Sequence, residues 1–245
     1  MFNIFRDTPP VVKNLLIINV LAYLAMLMLS PQGIDLTNYF GLHFWKSEAF
    51  YPHQLVSYMF MHSFTITHLF FNMFAVWMFG RVLEGVWGSK RFLIYYMVTG
   101  IGAGIIQLLV IYFRLMPLYN QLSPEELAYI LENGYQILQE GKNFSEPVAG
   151  QFNLLMNVTT VGASGSVFGI LLAFGMLFPN TELMLMFPPI PIKAKWFVIG
   201  YGAIELYSGV ANNAGDNVAH FAHLGGMLFG YFMIKYWQKN SNHFY

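Results

Sequence analysis

The feature that most constrains the fold is a series of long apolar runs, separated by segments that hold most of the charged residues. Six such runs lie at about 12–30, 66–83, 91–113, 161–178, 196–210 and 217–237. A helix needs roughly 20 apolar residues to cross the hydrocarbon core of a bilayer, so runs of this length are typical of membrane spans. The pattern predicts an all-α polytopic membrane protein with six transmembrane helices.

The composition excludes several other classes of protein. Only 10% of the 245 residues are charged and 56% are hydrophobic, whereas soluble domains carry about 25% charged residues. The formal net charge is zero, so no basic surface indicates a nucleic-acid partner. Without cysteine the chain has no disulfide and no cysteine nucleophile. We expect a lipid bilayer as partner, no cofactor and no metal.

The distribution of lysine and arginine predicts the orientation, because cytoplasmic loops are enriched in these residues. With six spans both termini share one side. That side holds nine of the twelve positive residues, against three on the other: Arg6, Lys13, Arg81, Lys90, Arg91, Lys193, Lys195, Lys235 and Lys239, against Lys46, Arg114 and Lys142. The termini are therefore expected in the cytoplasm, in a bacterial inner membrane, with segments 31–65, 114–160 and 211–216 facing outward.

The chain, 1–245, is expected to form one membrane domain with an inserted segment at about 114–160. In this segment Ser123-Pro124-Glu125-Glu126 has the pattern of a capping box with proline at the first helical position. Apolar residues recur at helical spacing after it, which predicts a pair of short amphipathic helices over the bundle. Segment 181–195, rich in proline and lysine, is expected to be a connection.

Polar residues inside a span must find partners within the protein, so each is a candidate functional residue. The candidates are His68, Asn72, Gln107, Ser164, Ser166, Glu205, Tyr207, Ser208, His220 and His223. Glycines four residues apart in the fourth and sixth runs allow two helices to approach closely: Gly165 with Gly169, and Gly226 with Gly230. Such an approach would let the short side chain of Ser164 reach the imidazole of His223, as a nucleophile reaches its general base.

These residues also admit a purely structural interpretation. A serine between glycines can serve as a packing residue whose hydroxyl bonds to the preceding turn of its helix. His68 and Asn72, four residues apart, share one helix face. They could donate hydrogen bonds to an oxyanion, or they could simply join two helices.

Three motifs resemble those of the rhomboid intramembrane serine proteases. Gly162-Ala163-Ser164-Gly165 is similar to the family's G-x-S-G, and His68 with Asn72 is similar to its H-x-x-x-N. Ala222-His223, followed by Gly226 and Gly230, is similar to A-H-x-x-G-x-x-x-G. The resemblance extends over about 50–237, and Glu84, Gly88, Pro179-Asn180 and 191–195 also look like family landmarks.

The resemblance implies a role for each matching residue. Ser164 would attack the peptide bond, and His223 would act as base and then as acid. His68, Asn72 and the backbone N–H of Ser164 would stabilise the oxyanion, and Phe168 would stack on the catalytic imidazole. The implied substrates are transmembrane proteins that enter between the second and fifth spans. Segment 211–216 is a candidate lid.

No acidic residue lies near these groups on either catalytic helix, so a Ser-His dyad is implied. Glu205 receives no catalytic role and is expected to be a neutral or hydrogen-bonded core group. His220 is expected near the outer mouth, bonded to water or loop backbone. His43, His53, His62 and His243 are expected at interfaces or termini. The stretch 51–54 stands where the family often has a Trp-Arg pair, which leaves the anchoring of that loop open.

Three other functions are alternatives to an active protease. A catalytically inactive protein of the same fold, which binds membrane proteins in quality control, is the alternative within the family. A transporter would show symmetric halves, and none are visible. A metal-dependent hydrolase could use His68, Glu205, His220 and His223, but no H-E-x-x-H motif is present. The oligomeric state is undetermined.

Overall fold

Helices carry most of the chain in the computed structural model, which describes residues 7–184, 189–211 and 219–240. In chain order they are α1 (Pro10–Leu29), α2 (Leu36–Phe40), α3 (Gln54–Ser57), α4 (Ile66–Ala75), α5 (Arg81–Trp87), α6 (Ser89–Tyr119), α7 (Pro124–Gln139), α8 (Pro147–Asn157), α9 (Ser164–Leu177), α10 (Ala194–Ala211) and α11 (His220–Asn240). Short 3₁₀ turns at Ser30–Gln32 and Tyr58–Phe60 and a π-helical turn at Val76–Gly80 complete the helical segments.

Three helical segments are long and apolar enough to cross a membrane: Pro10–Gln32, Ile66–Trp87 and Ser89–Tyr119. They correspond to the first three predicted spans. The other three runs also form helices, but α9 has 14 residues and is therefore about 21 Å long, shorter than the hydrocarbon core of roughly 30 Å. The all-helical class is confirmed, while the count of six spans stays a prediction.

Helix α9 packs against both α6 and α11, which also pack against each other. A Cβ atom built on Gly226 would overlap the carbonyl oxygen of Gly165, so the backbones of α11 and α9 are in direct contact. The other three glycines of the two pairs face α6: Gly165 packs on Ala103, Gly169 on Thr99 and Gly230 on Tyr95. The glycines therefore join three helices rather than two.

Hydrogen bonds across these contacts satisfy polar groups that lipid cannot. The hydroxyl of Ser166 donates to the carbonyl oxygen of Tyr96 at 2.8 Å. The hydroxyl of Tyr95 donates to the carbonyl oxygen of Gly169 at 2.8 Å. Because each bond links α6 with α9, the register between the two helices is set by directional contacts as well as by packing.

The buried carboxylate of Glu84 joins the ends of three helices. It accepts the backbone N–H groups of Val11 and Val12 at 3.0 and 2.8 Å, which are unpaired donors of the first turn of α1. The hydroxyl of Ser89, the first residue of α6, donates to it at 2.6 Å. Glu84 itself lies on α5, so a single side chain holds α1, α5 and α6 together.

The two long segments between helices pair with each other beside the start of α9. Leu42 and Thr160 exchange two backbone hydrogen bonds of 2.9 Å, and the His43 ring lies 2.9 Å from the Thr159 hydroxyl. The predicted capping box at Ser123 and Glu126 is confirmed. The helix pair predicted for segment 114–160 is present as α7 and α8, which pack against each other, and α8 packs on α6.

Segment 181–195 connects α9 with α10, as expected, and contains two short strands. Residues Glu182–Met184 (β1) and Pro191–Lys193 (β2) pair as an antiparallel hairpin, and α10 follows β2 directly. The hairpin supplies backbone partners within a short connection, which proline spacing did not indicate. The proposed lid at 211–216 falls almost entirely outside the described residues.

The contact between Gly226 and Gly165 predicts a large effect of one methyl group. We expect Gly226→Ala to lower the free energy of unfolding by about 1–3 kcal/mol, because the added Cβ forces α9 and α11 apart. Gly200→Ala is the matched control, since nothing lies within 4 Å of a Cβ at that helical position. Unfolding in mixed detergent micelles, followed by circular dichroism, measures both. Equal stability of the two variants would contradict the packing argument.

Candidate active site

Ser164 lies at the first residue of α9, directly after a turn that only glycine accommodates readily. Gly162 has φ 128°, and its backbone N–H donates to the carbonyl oxygen of Tyr58 at 3.0 Å. This turn brings Ser164 to the end of a buried helix, where its side chain remains partly exposed. A serine here is accessible to a reactant while its helix stays buried.

The imidazole of His223 meets this serine. Its Nε2 lies 2.8 Å from the Oγ of Ser164, although 59 residues separate the two in the chain. The Phe168 ring stacks on the His223 ring with centroids 4.3 Å apart and an interplanar angle of 7°. The contact of Gly226 with Gly165 allows the short serine side chain to reach across. The hydroxyl therefore has a proton acceptor in place, and the ring that accepts has a fixed plane.

The carboxylate of Glu205, which received no catalytic role from the sequence, also contacts His223. Oε2 of Glu205, on α10, lies 2.8 Å from Nδ1 of His223. The same oxygen lies 2.6 Å from Nδ1 of His220. The contact of His220 with Glu205 is one that the sequence did not suggest. The sequence implied a dyad because no acid lies near Ser164 or His223 on their own helices. The carboxylate of Glu205 comes from a third helix, α10.

His68 borders the same space as the serine. Its Nδ1 accepts the backbone N–H of Ser63 at 3.4 Å and lies 3.1 Å from the Ser63 hydroxyl. With Nδ1 accepting, the ring proton resides on Nε2. A Cβ built on Gly162 would lie 2.9 Å from His68 Nε2 and 3.6 Å from Ser164 Oγ. A donor and the hydroxyl thus face one small volume beside Gly162.

Asn72 lies one turn after His68 on the same helix, and its side chain is buried. One N–H of its amide donates to the carbonyl oxygen of His68 at 2.9 Å. An amide nitrogen carries two hydrogens, so this bond leaves the second available. The structure shows how Asn72 is held against its own helix.

Two histidines expected at interfaces are buried instead. His43 and His62 have no exposed surface. The His62 ring packs edge-on against His68, with centroids 5.1 Å apart. Burial, and then the neighbouring His68, lower the pKa of His62 to about 4, so it is neutral near pH 7. Both histidines lie in loop segments that fold into the protein.

The loop whose anchoring was left open is held by Gln54. Its buried side chain donates to the carbonyl oxygens of Ala49 at 2.8 Å and Tyr39 at 3.3 Å. Its oxygen accepts the backbone N–H of His43 at 3.3 Å. One amide thus links three points of the loop. Its capacity to donate and accept was the available signal in the sequence.

The side chains of Glu205, His220 and His223 also have the composition of a metal site. Their ligand atoms all lie within 4.8 Å of one another. The contacts of 2.6 and 2.8 Å between carboxylate and imidazoles are hydrogen-bond lengths. Ligand atoms about 2.0–2.1 Å from a tetrahedral zinc ion are roughly 3.3 Å apart. The group as found is therefore arranged for hydrogen bonding.

Comparison with known proteins identifies the family. A family model described as the Rhomboid domain matches residues 49–116 and 130–239. The chain belongs to the rhomboid family. The resemblance inferred from the motifs is thus confirmed, and the rhomboid match together with the apolar helices makes the chain an integral membrane protein. The match omits 117–129, so most of the segment predicted as an insert falls within the matched domain.

A curated relative supports the assignment to the rhomboid family. The chain is 26% identical over 176 residues to the mitochondrial Rhomboid protein 1 of Saccharomyces cerevisiae, which covers 70% of this chain. It spans 39% of that relative's length. This similarity supports the shared family.

The position of Gly162 against His68 leads to a second prediction. We expect Gly162→Ala to lower the free energy of unfolding by about 1–3 kcal/mol through its backbone conformation and to displace the His68 ring. Gly141→Ala is the matched control, because Gly141 also has positive φ but nothing lies within 4 Å of its Cβ. Imidazole chemical shifts of the histidine-labelled protein report the displacement. An unchanged His68 signal in Gly162→Ala would contradict the geometry.

Proposed function

We propose that this chain is an intramembrane serine endopeptidase, which hydrolyses peptide bonds in or next to the transmembrane segments of its substrates. The observation that carries the proposal is the 2.8 Å contact between Ser164 Oγ and His223 Nε2. It supports a nucleophile paired with its general base, in a family whose members act within the membrane. An inactive protein of the same fold has no need of this pair.

The geometry suggests the order of proton transfers. Oγ of Ser164 attacks the carbonyl carbon while its proton passes to Nε2 of His223. The tetrahedral intermediate collapses when the imidazolium returns that proton to the nitrogen of the leaving amine. An acyl-enzyme ester at Ser164 remains. Water then repeats the sequence, with His223 as base, and releases the carboxylic acid.

Stabilisation of the oxyanion is assigned to His68, Asn72 and the backbone N–H of Ser164. His68 Nε2 and Ser164 Oγ both face the space beside Gly162, which supports this assignment. Donors held in a low-dielectric site stabilise developing charge without reorganising. In this proposal the bond from Asn72 to the backbone of His68 leaves one amide hydrogen for the oxyanion.

The proposed setting is a bacterial inner membrane with both termini in the cytoplasm. Nine of the twelve lysine and arginine residues fall on the cytoplasmic side in that orientation. Six spans agree with it, because an even number returns the chain to its starting side. Substrates are transmembrane proteins that reach Ser164 from the bilayer, with entry between the second and fifth spans.

Loss of either partner of the pair is expected to abolish catalysis. Ser164→Ala and His223→Ala should not react with a fluorophosphonate probe or cleave a transmembrane substrate, because no nucleophile or no base remains. Ser166→Ala is the matched control: that hydroxyl bonds Tyr96 on the far side of α9. Its loss should cost about 1 kcal/mol of stability and leave reaction intact. Probe attachment is located by mass spectrometry.

Labelling of purified Ser164→Ala at the wild-type rate would refute the assignment of the nucleophile. Absence of labelling and cleavage by the folded wild-type protein would favour the inactive alternative, a membrane-protein binding factor.

Removal of the oxyanion donor has a smaller expected effect. We expect His68→Ala to lower kcat about 10²–10³-fold, which is typical of the loss of one such donor, with little change in KM. Ser63→Ala leaves the His68 ring in place and should lower kcat less than tenfold. Cleavage kinetics in liposomes measure both. Equal kcat values for His68→Ala and wild type would exclude His68 from the oxyanion site.

A further inference from the structure

Two glycines flank Glu205 on the face of α10 that meets the helix of His223. Gly202, Glu205 and Gly209 are spaced by three and four residues, so they share the face of α10 that meets α11. A Cβ on Gly202 would lie 3.3 Å from Met227, and one on Gly209 would lie 2.9 Å from Phe221. The two glycines allow close approach on both sides of Glu205, which places its carboxylate between the helices rather than in lipid.

The hydrogen-bond pattern assigns the tautomer of His223. A carboxylate has no proton to donate, so its 2.8 Å contact places a proton on Nδ1 of His223. Nε2 then carries the free lone pair that faces Ser164. With the opposite tautomer, Nε2 would hold a proton and could not accept one from the serine. The contact with Glu205 therefore selects the tautomer that catalysis requires.

Charge adds to this effect. When His223 takes the proton of Ser164, an imidazolium forms in a buried site, where an isolated charge is costly. Oε2 of Glu205 lies next to that charge and compensates it. His220 donates to the same oxygen at 2.6 Å and thereby restrains the carboxylate. The Phe168 ring fixes the plane of the His223 ring from its other side.

We propose that Glu205 is a positioning residue for catalysis, so that Ser164, His223 and Glu205 act as a Ser-His-Glu triad assembled from three helices. This inference rests on the proposed protease function. The proton of Ser164 moves to Nε2 and then to the leaving amine, while the Nδ1 proton stays on His223. Glu205 gains and loses no proton in the cycle.

The test uses the purified full-length protein in micelles and a fluorescent fluorophosphonate as the probe of Ser164. Labelling over a range of probe concentrations separates the maximal rate from the apparent affinity. We expect Glu205→Gln to lower the maximal rate about 10²–10⁴-fold, as for a triad acid replaced by its amide, with affinity changed less than about threefold. Glu205→Asp restores a carboxylate with a shorter reach, so it should be labelled about tenfold more slowly than wild type and faster than Glu205→Gln.

Two controls distinguish positioning from a structural role. Tyr207→Phe alters the same helix two residues away, at a side chain that is 75% exposed, and should label at the wild-type rate. His220→Gln removes the other contact of the same oxygen and should lower the rate less than tenfold, because the bond to His223 remains. A purely structural role predicts similar small losses for Glu205→Gln and His220→Gln.

The outcomes separate this proposal from the protease proposal. If the maximal labelling rate of Glu205→Gln is within threefold of the wild-type rate while Ser164→Ala is not labelled, the triad is wrong and the serine protease proposal stands. If the folded wild-type protein does not label, the protease proposal itself fails. If labelling disappears in a metal chelator, a metal at Glu205, His220 and His223 replaces the hydrogen-bonded triad.

Circular dichroism establishes which variants fold. Should Glu205→Gln fail to fold, Glu205→Asp decides, since its shorter side chain draws the carboxylate away from Nδ1. A tenfold lower maximal rate in Glu205→Asp supports the triad, and an unchanged rate overturns it.

Discussion

The backbone contact between Gly165 and Gly226 is the constraint on which the candidate site depends. A serine side chain extends only one rotatable bond from its backbone, so an imidazole on another helix is within reach only if the two backbones nearly touch. The absence of a Cβ atom at Gly226 allows that approach, because a Cβ there would overlap the carbonyl oxygen of Gly165. The same close packing stacks Phe168 on His223. The packing of α9 on α11 and the geometry of the Ser164–His223 pair therefore have a common origin, and a change in one alters the other.

The second principle of this fold is that polar groups in apolar surroundings are shared among several helices. Glu84 holds the start of α1 and of α6, and Glu205 bonds two histidines of α11. In each case one carboxylate accepts several hydrogen bonds, which offsets the cost of removing a charge from water. The hydroxyls of Tyr95 and Ser166 follow the same rule with backbone carbonyls. Bonds of this kind are directional, so they determine helix register where apolar contacts alone would allow sliding.

Much of this arrangement was predictable from local pattern. Apolar runs located the helices, the capping box located the start of α7, and the motifs around Ser164 and His223 singled out the residues that meet. Glu205 was recognised as costly in a span, but its partner was not, because 18 residues and a change of helix separate it from His223. Its placement between Gly202 and Gly209 was the available signal, since small residues on its own face point toward a helix and not toward lipid. His43, His62 and the hairpin at β1 and β2 depend on how loops fold back on the bundle, which neither periodicity nor composition encodes.

The candidate site also shows why a count of acids on two helices was insufficient. A general base in a membrane needs its ring plane, tautomer and charge controlled without the water that surrounds a soluble active site. For the proposed base His223 these controls come from two other helices: α9 contributes Phe168 for the ring plane, and α10 contributes the carboxylate of Glu205 at Nδ1 for the tautomer and the charge. Because Glu205 lies on the face of α10 that meets α11, a movement of α10 away from α11 would release His223 from its carboxylate. The position of α10 and the state of the base are therefore physically coupled.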